Sequence, residues 1–169
     1  MNSDYIIDSL EQNIIVFYDL LKNVSDEIIR WKPSEEKWNL LEIVCHLYDE
    51  ERDDFRTRLK YVLETTDKPL PLIDPTGWVL SRKYASKNFL ETLTDFEYER
   101  KISVAWLRSL QHPSWDNFYA HPKLGHLSAK LFLSNWLAHD YLHFRQITKL
   151  KFDYLAQTSG EGLGYAGSW

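Results

Sequence analysis

Four stretches of this chain repeat apolar residues at three- and four-residue steps, with Pro- and Gly-bearing segments between them. That period marks helices with one buried face, and it restricts the chain to an all-α architecture. The first stretch runs from about Asp4 to Asn23 on Ile6, Leu10, Ile14, Phe17 and Leu21, with Asp4 the expected cap. Ser25 to Pro33 reads as a connector with one helical turn around Ile28, Ile29 and Trp31. The second stretch opens at Asn39, where Glu42 three residues on completes a capping-box pair, and extends to about Leu63. Its later half is heavily charged, yet Phe55, Leu59 and Val62 keep the stripe. Pro69, Pro71, Pro75 and Gly77 make a loop of Thr65 to Gly77, and Trp78 to Ser86 reads as a short irregular piece. Asn88 with Glu91 opens a third helix to about Leu110, on Leu90, Leu93, Phe96, Ile102, Trp106 and Leu110. After a connector from His112 to Leu127, Ser128 caps a fourth helix to about Gln157, with Gly160 just past its end. No strand, repeat or linker is evident. The 169 residues read as one domain, 1–169, folded as a four-helix bundle.

A net charge of −5 argues against a nucleic-acid partner, which requires a basic surface. The aromatic content of 15% supplies bulk to fill gaps between helices or to line a pocket. Cys45 is the lone cysteine and has no internal disulfide partner, as in a reducing compartment. Met1 to Tyr5 lacks the basic start of a secretion signal, and no apolar run approaches the roughly 18–20 residues that span a bilayer. The expectation is a cytoplasmic protein with no membrane partner.

Chemistry concentrates on three histidines. His139 and His143 stand four residues apart on the fourth helix, so their Cβ atoms lie about 5–6 Å apart on one face. His46 belongs to the second helix, among Ile43, Val44 and Leu47. Two rings on a half-buried face need partners, and a metal ion is one such partner, as is an ordinary hydrogen bond. A third imidazole from a facing helix would complete a three-nitrogen site with an open position, the catalytic type of zinc centre.

Other residues have weaker claims. Glu50, one turn after His46, is a candidate to hold a ring nitrogen or move a proton, or else a solvated carboxylate in a charge run. Asp140 is a candidate proton-transfer group, metal ligand or ring-orienting acceptor, or else a surface charge. Cys45 adjoins His46 but is turned about 100° from it, so a small buried residue is expected. His112, His121 and His126 fall in the loop before the last helix, with His121 or His126 at most edging a pocket. The Glu-x-x-His pairs of di-iron bundles and the His-Glu-x-x-His of zinc proteases are both absent. The Gly-rich tail follows a helix and precedes none, which rules out a nucleotide loop.

Trp31-Lys32-Pro33-Ser34-Glu35-Glu36-Lys37-Trp38-Asn39-Leu40-Leu41-Glu42-Ile43-Val44-Cys45-His46-Leu47 resembles the entry into the second helix of the DinB/YfiT-like superfamily. His139-Asp140-Tyr141-Leu142-His143-Phe144-Arg145-Gln146-Ile147 resembles its fourth-helix motif, a histidine pair followed by Arg-Gln-Ile. The loop from His121 to His126 and the closing Tyr165-Ala166-Gly167-Ser168-Trp169 are also family-like. The resemblance implies a bundle of up-down-down-up connectivity with His46, His139 and His143 as metal ligands. It further implies a divalent ion, zinc or nickel, and in several members a homodimer. Relatives include S-transferases that use a low-molecular-weight thiol such as bacillithiol, and a mycothiol-dependent maleylpyruvate isomerase. The expected function is therefore metal-dependent thiol transfer to a small electrophilic substrate. The alternatives are metal-dependent hydrolysis and metal binding without catalysis.

Overall fold

The apolar periods become four long helices in the computed structural model, which describes residues 2–64 and 69–167. Residues 65–68 of the expected loop and Ser168 and Trp169 of the closing segment lie outside the described residues. Helix α1 is Ser3–Leu21. Its cap is Asn2, whose side chain accepts the Tyr5 N–H at 3.0 Å; Asp4 lies in the first turn, where its charge faces the positive end of the helix. The connector contains one turn, α2 (Asp26–Arg30), which buries Ile28 and Ile29.

Helix α3 (Leu40–Asp49) starts at a complete capping box: the Asn39 side chain accepts the Glu42 N–H and the Glu42 carboxylate accepts the Asn39 N–H, both at 2.9 Å. The sequence reads as one regular helix from here to Leu63. Instead, Glu50–Arg56 wind as a π-helix before α4 (Thr57–Glu64) resumes the α form. The wider turn coincides with four buried side chains, Glu50, Glu51, Asp54 and Phe55, three of them acidic. Such turns recur at functional sites.

The short α5 (Trp78–Ser81) and a 3₁₀ turn (Tyr84–Ser86) lead into α6 (Phe89–Ser109), capped by Asn88 through the Glu91 N–H. Its buried face differs from the expected stripe. Leu90 and Ile102 are 60% and 38% exposed, whereas Phe89, Leu93, Phe96, Arg100, Ser103, Val104 and Leu107 face inward. The true face passes through a buried arginine, which an apolar pattern skips. The connector after α6 also departs from expectation. Strands β1 (Phe118–His121) and β2 (Gly125–Ser128) form an antiparallel hairpin, where no strand was expected from four-residue segments with mixed polarity. Its turn is fixed by His121, whose Nδ1 accepts the N–H groups of Lys123 and Leu124 at 3.1 Å, and by Gly125 at φ 74°.

Helix α7 (Ala129–Ser159) runs from the Ser128 cap to Gly160, which adopts the left-handed conformation at φ 68°. Helix α6 packs on α1 and α3, and α7 packs on α1, α3 and α4.

The core has two apolar clusters. One surrounds Phe17, Leu40, Leu47, Phe96 and Ile147; the other surrounds Leu10, Leu59, Val104, Trp136 and Leu137. Each long helix changes from one cluster to the other across a polar residue: Asn13 in α1, Glu50 and Glu51 after α3, Arg100 in α6, and Asp140 with His143 in α7, all buried. A charged layer therefore crosses the middle of the bundle, and the π segment lies within it.

Candidate metal centre

The polar layer has two halves. The inner half is centred on Arg100, which is 1% exposed. Its Nη1 and Nη2 donate to the two Asp140 oxygens at 2.7 and 2.8 Å, and its Nε donates to Glu51 Oε2 at 2.8 Å. Nη1 also reaches the Leu10 carbonyl at 3.2 Å. Asn13 donates to Asp140 at 2.8 Å, and Trp136 Nε1 donates to Glu51 at 2.8 Å. One guanidinium thus ties all four long helices through charge-assisted bonds.

The outer half is the histidine group. His139 and His143 project from one face of α7, and His46 from α3 packed against it. His139 Nε2 lies 3.2 Å from His46 Nε2 and 3.0 Å from His143 Nε2. All three ligand atoms fall within 4.8 Å of one another, the single such group among the described residues. A neutral imidazole has one N–H and one lone pair, so His139 Nε2 serves one of its two contacts as donor or acceptor and not both. Protonation is no remedy. Burial pushes His46 down to about 3 and His143 down to about 4, and holds His139 well below the ordinary histidine range.

A cation satisfies what protons do not. Nitrogens at about 2.0–2.1 Å from a tetrahedral ion stand about 3.3 Å apart, close to the two short separations seen here. If each Nε2 turns its lone pair to an ion, each Nδ1 carries the hydrogen. The Nδ1 atom of His46 is buried and without a hydrogen-bond partner. His46 Nδ1 faces Glu50 Oε1 at 4.0 Å, and that oxygen is likewise unpartnered. The residues thus fit a divalent ion, with Glu50 placed to receive a ring hydrogen. The Trp38 ring lies 4.7 Å from the His46 ring, and the Phe55 ring 5.0 Å from the His139 ring.

Each candidate from the sequence now has a place. Glu50 is 4% exposed, which removes the solvated alternative. Asp140 is fully buried and commits both oxygens to Arg100, which removes the surface-charge alternative. His126 stacks on Phe118 and His121 caps its own turn, both in the hairpin. Burial pushes the Cys45 thiol up to about 12, so it stays protonated at neutral pH. Sequence reasoning missed Arg100, Glu51 and Asn13. A signal existed: Arg100 falls four residues after Phe96 and four before Val104, in phase with the buried face.

A cavity of about 540 Å³ lies between Trp38, whose ring is 4.7 Å from that of His46, and the α7 residues Leu142, Arg145, Gln146 and Lys149.

Burial and the neighbouring Asp54 raise Glu50 to about 9, and this has a definite consequence for stability. A carboxyl favoured in its protonated form by the fold contributes stability that is lost as pH rises toward that value. The buried rings act oppositely: the unfolded chain takes up protons below about 6.5, the folded rings do not, and stability falls by about 2 kcal/mol per ring by pH 5. Glu50→Gln separates the two effects. In metal-free protein the stability gap between this variant and wild type should widen in the variant's favour by on the order of 1 kcal/mol per pH unit between pH 5 and 8. Urea denaturation across that range checks it, and a constant gap contradicts it.

The family model of the DinB superfamily matches residues 9–147. The chain therefore belongs to the DinB superfamily. Among solved structures it is similar to YfiT from Bacillus subtilis, a probable metal-dependent hydrolase with an unusual four-helix bundle topology. The two superpose with a TM-score of 0.78 at 18% identity, over 95% of this chain and 89% of that one. This likeness establishes the fold, a DinB-like four-helix bundle. No curated protein sequence matches the chain. No helix among the described residues is long and apolar enough to cross a membrane.

Proposed function

We propose that this protein is a divalent-metal-dependent enzyme that activates a small protic nucleophile at His46, His139 and His143 and directs it at an electrophilic small molecule. The observation that carries this reading is the convergence of three Nε2 atoms, two pairs of them at 3.0 and 3.2 Å, from rings that burial keeps neutral. His46, His139 and His143, as neutral imidazoles, would leave a bound Zn²⁺ or Ni²⁺ ion its full charge, and the ion would supply the acidity that ionises a water or thiol near neutral pH.

The chain's own groups supply the rest. The three rings arrive deprotonated, so binding an ion need not expel protons from them. Glu50 Oε1, 4.0 Å from His46 Nδ1, is placed to receive that ring's hydrogen and so to orient the ring. Trp38 and Phe55 keep water from the flanks of the rings. The cavity beside Trp38 has room for a small electrophile.

The first reading is transfer of a low-molecular-weight thiol such as bacillithiol. The protein's own Cys45 is buried and held protonated, so the sulfur nucleophile comes from outside. A reducing, cytoplasmic setting suits both a soluble thiol and an unbridged cysteine. The second reading is hydrolysis, with water as the nucleophile, and is favoured by the likeness to YfiT, a probable metal-dependent hydrolase.

One experiment tests both. Zinc-loaded, nickel-loaded and metal-free protein are each given bacillithiol with 1-chloro-2,4-dinitrobenzene, and separately 4-nitrophenyl acetate. In the first assay a C–S bond forms, C–Cl breaks, chloride leaves and the thiol proton passes to solvent. Metal-dependent conjugation supports thiol transfer, and metal-dependent ester cleavage alone supports hydrolysis. Activity that metal removal leaves unchanged contradicts both.

A further inference from the structure

We propose that the cavity lined by Trp38, whose ring packs on His46, receives a negatively charged group of the substrate, with Arg145 as its principal ligand and Lys37 assisting from the facing connector. The inference rests on reading the histidine centre as the reaction site, and it narrows the substrate to a small anionic molecule.

The charge in this cavity runs against that of the chain. The protein carries a net −5, yet the lining presents Lys37, Arg145 and Lys149 against a single carboxylate, Asp153. Asp153 is already engaged, since Lys149 donates to it one helical turn away. Neither Arg145 nor Lys37 makes an ion pair among the described residues. Most other arginines of the fold are committed: Arg100, Arg52, Arg56, Arg82 and Arg108 all bond to carboxylates. An exposed guanidinium that faces a cavity and has no carboxylate partner suits a carboxylate or phosphate, which it grips through two parallel N–H bonds.

Position ties the charge to the chemistry. Arg145, two residues after His143, leaves α7 about 160° around the helix axis from that ring, so the link from cavity to centre runs through Trp38 and not along α7. Trp38 lines the same cavity and stands 4.7 Å from the His46 ring. Leu142, half exposed, faces the cavity from α7. A ligand with its anion on Arg145 would lay its apolar body across Trp38 and Leu142 and bring its other end to the histidines.

The test uses metal-free protein, so that an anion cannot report by ligating an ion. Binding of 4-fluorobenzoate, 4-fluorophenyl phosphate and neutral 4-fluorobenzamide is followed by ¹⁹F NMR at low and at physiological salt. At least one anion should bind at least 10-fold more tightly than the amide, and more weakly as salt rises. Which of the two prevails distinguishes a carboxylate from a phosphate. Arg145→Glu should weaken that anion at least 10-fold, Lys37→Glu about 3-fold, and Arg145→Lys less than Arg145→Glu. Circular dichroism confirms that these exposed substitutions leave the helices intact. Equal binding of anion and amide, no binding of either anion, or unchanged affinity in Arg145→Glu overturns the proposal. Zinc uptake is measured on the same preparations. Zinc uptake without anion binding sinks this inference alone, whereas anion binding without zinc uptake sinks the reading of the centre.

Discussion

Replacing Arg100 by Met is expected to cost the fold about 3–5 kcal/mol, the range for removing one partner of a buried charged group. Met fills much of the arginine's volume, so the loss is electrostatic more than steric. What remains is the Glu51 and Asp140 carboxylates, 2% and 0% exposed, with no cation between them. Burial already pushes Glu51 upward, with Arg100 the chief opposing influence, so its removal drives the Glu51 carboxyl toward protonation. The Leu10 carbonyl also loses a donor. A domain of ordinary stability has about 5–15 kcal/mol in hand, so the variant should be near its unfolding threshold at room temperature. Urea denaturation measures this, and a loss below about 1 kcal/mol contradicts it. Adding Glu51→Gln and Asp140→Asn to Arg100→Met should recover part of the loss, because the buried charge disappears with its partner.

His139→Ala is expected to weaken divalent-metal affinity by on the order of 10³-fold, since one of three protein ligands supplies roughly a third of a binding energy of about 10–16 kcal/mol. Of the three rings, His139 alone makes both short nitrogen contacts. The metal-free variant should be no less stable than wild type apart from a small cavity, because it removes a buried nitrogen that satisfies only one of two neighbours. Competition against a chromophoric chelator reads the affinity. His126→Ala, in the hairpin, should leave it unchanged. Equal affinities in wild type and His139→Ala contradict the assignment.

The helices and the His139–His143 pair were legible because each has a period, whereas the place of His46 beside them was implied by the resemblance of its helix to the superfamily's. The caps at Asn39, Asn88 and Ser128 were visible as side chains placed to accept early backbone N–H groups, and all three function so. The i, i+4 spacing of His139 and His143 fixed their shared face before any tertiary contact was known. Arg100 was not legible. A lone charge inside an apolar stripe looks like a break in the stripe until its carboxylates are known, and those come from residues 49 and 40 positions away. Glu51 was hidden in a charged run, and for Glu50 the solvated alternative stayed open, because the π turn that carries both inward follows from packing and not from local propensity. The hairpin escaped because four-residue strands show too few alternations to stand out, and its pairing depends on a turn that His121 closes. Membership of the DinB superfamily was legible in the motifs around His46 and His139, since the family's local patterns surround those positions.

X-ray absorption at the metal edge of zinc-loaded protein tests the central claim most directly. The expected spectrum has three imidazole nitrogens at about 2.0–2.1 Å, with the outer-shell scattering of intact rings, and one further light-atom ligand. A shell of oxygens without imidazole scattering, or a spectrum unchanged in His139→Ala, would show that the ion lies elsewhere and that the three rings serve only the packing of the bundle.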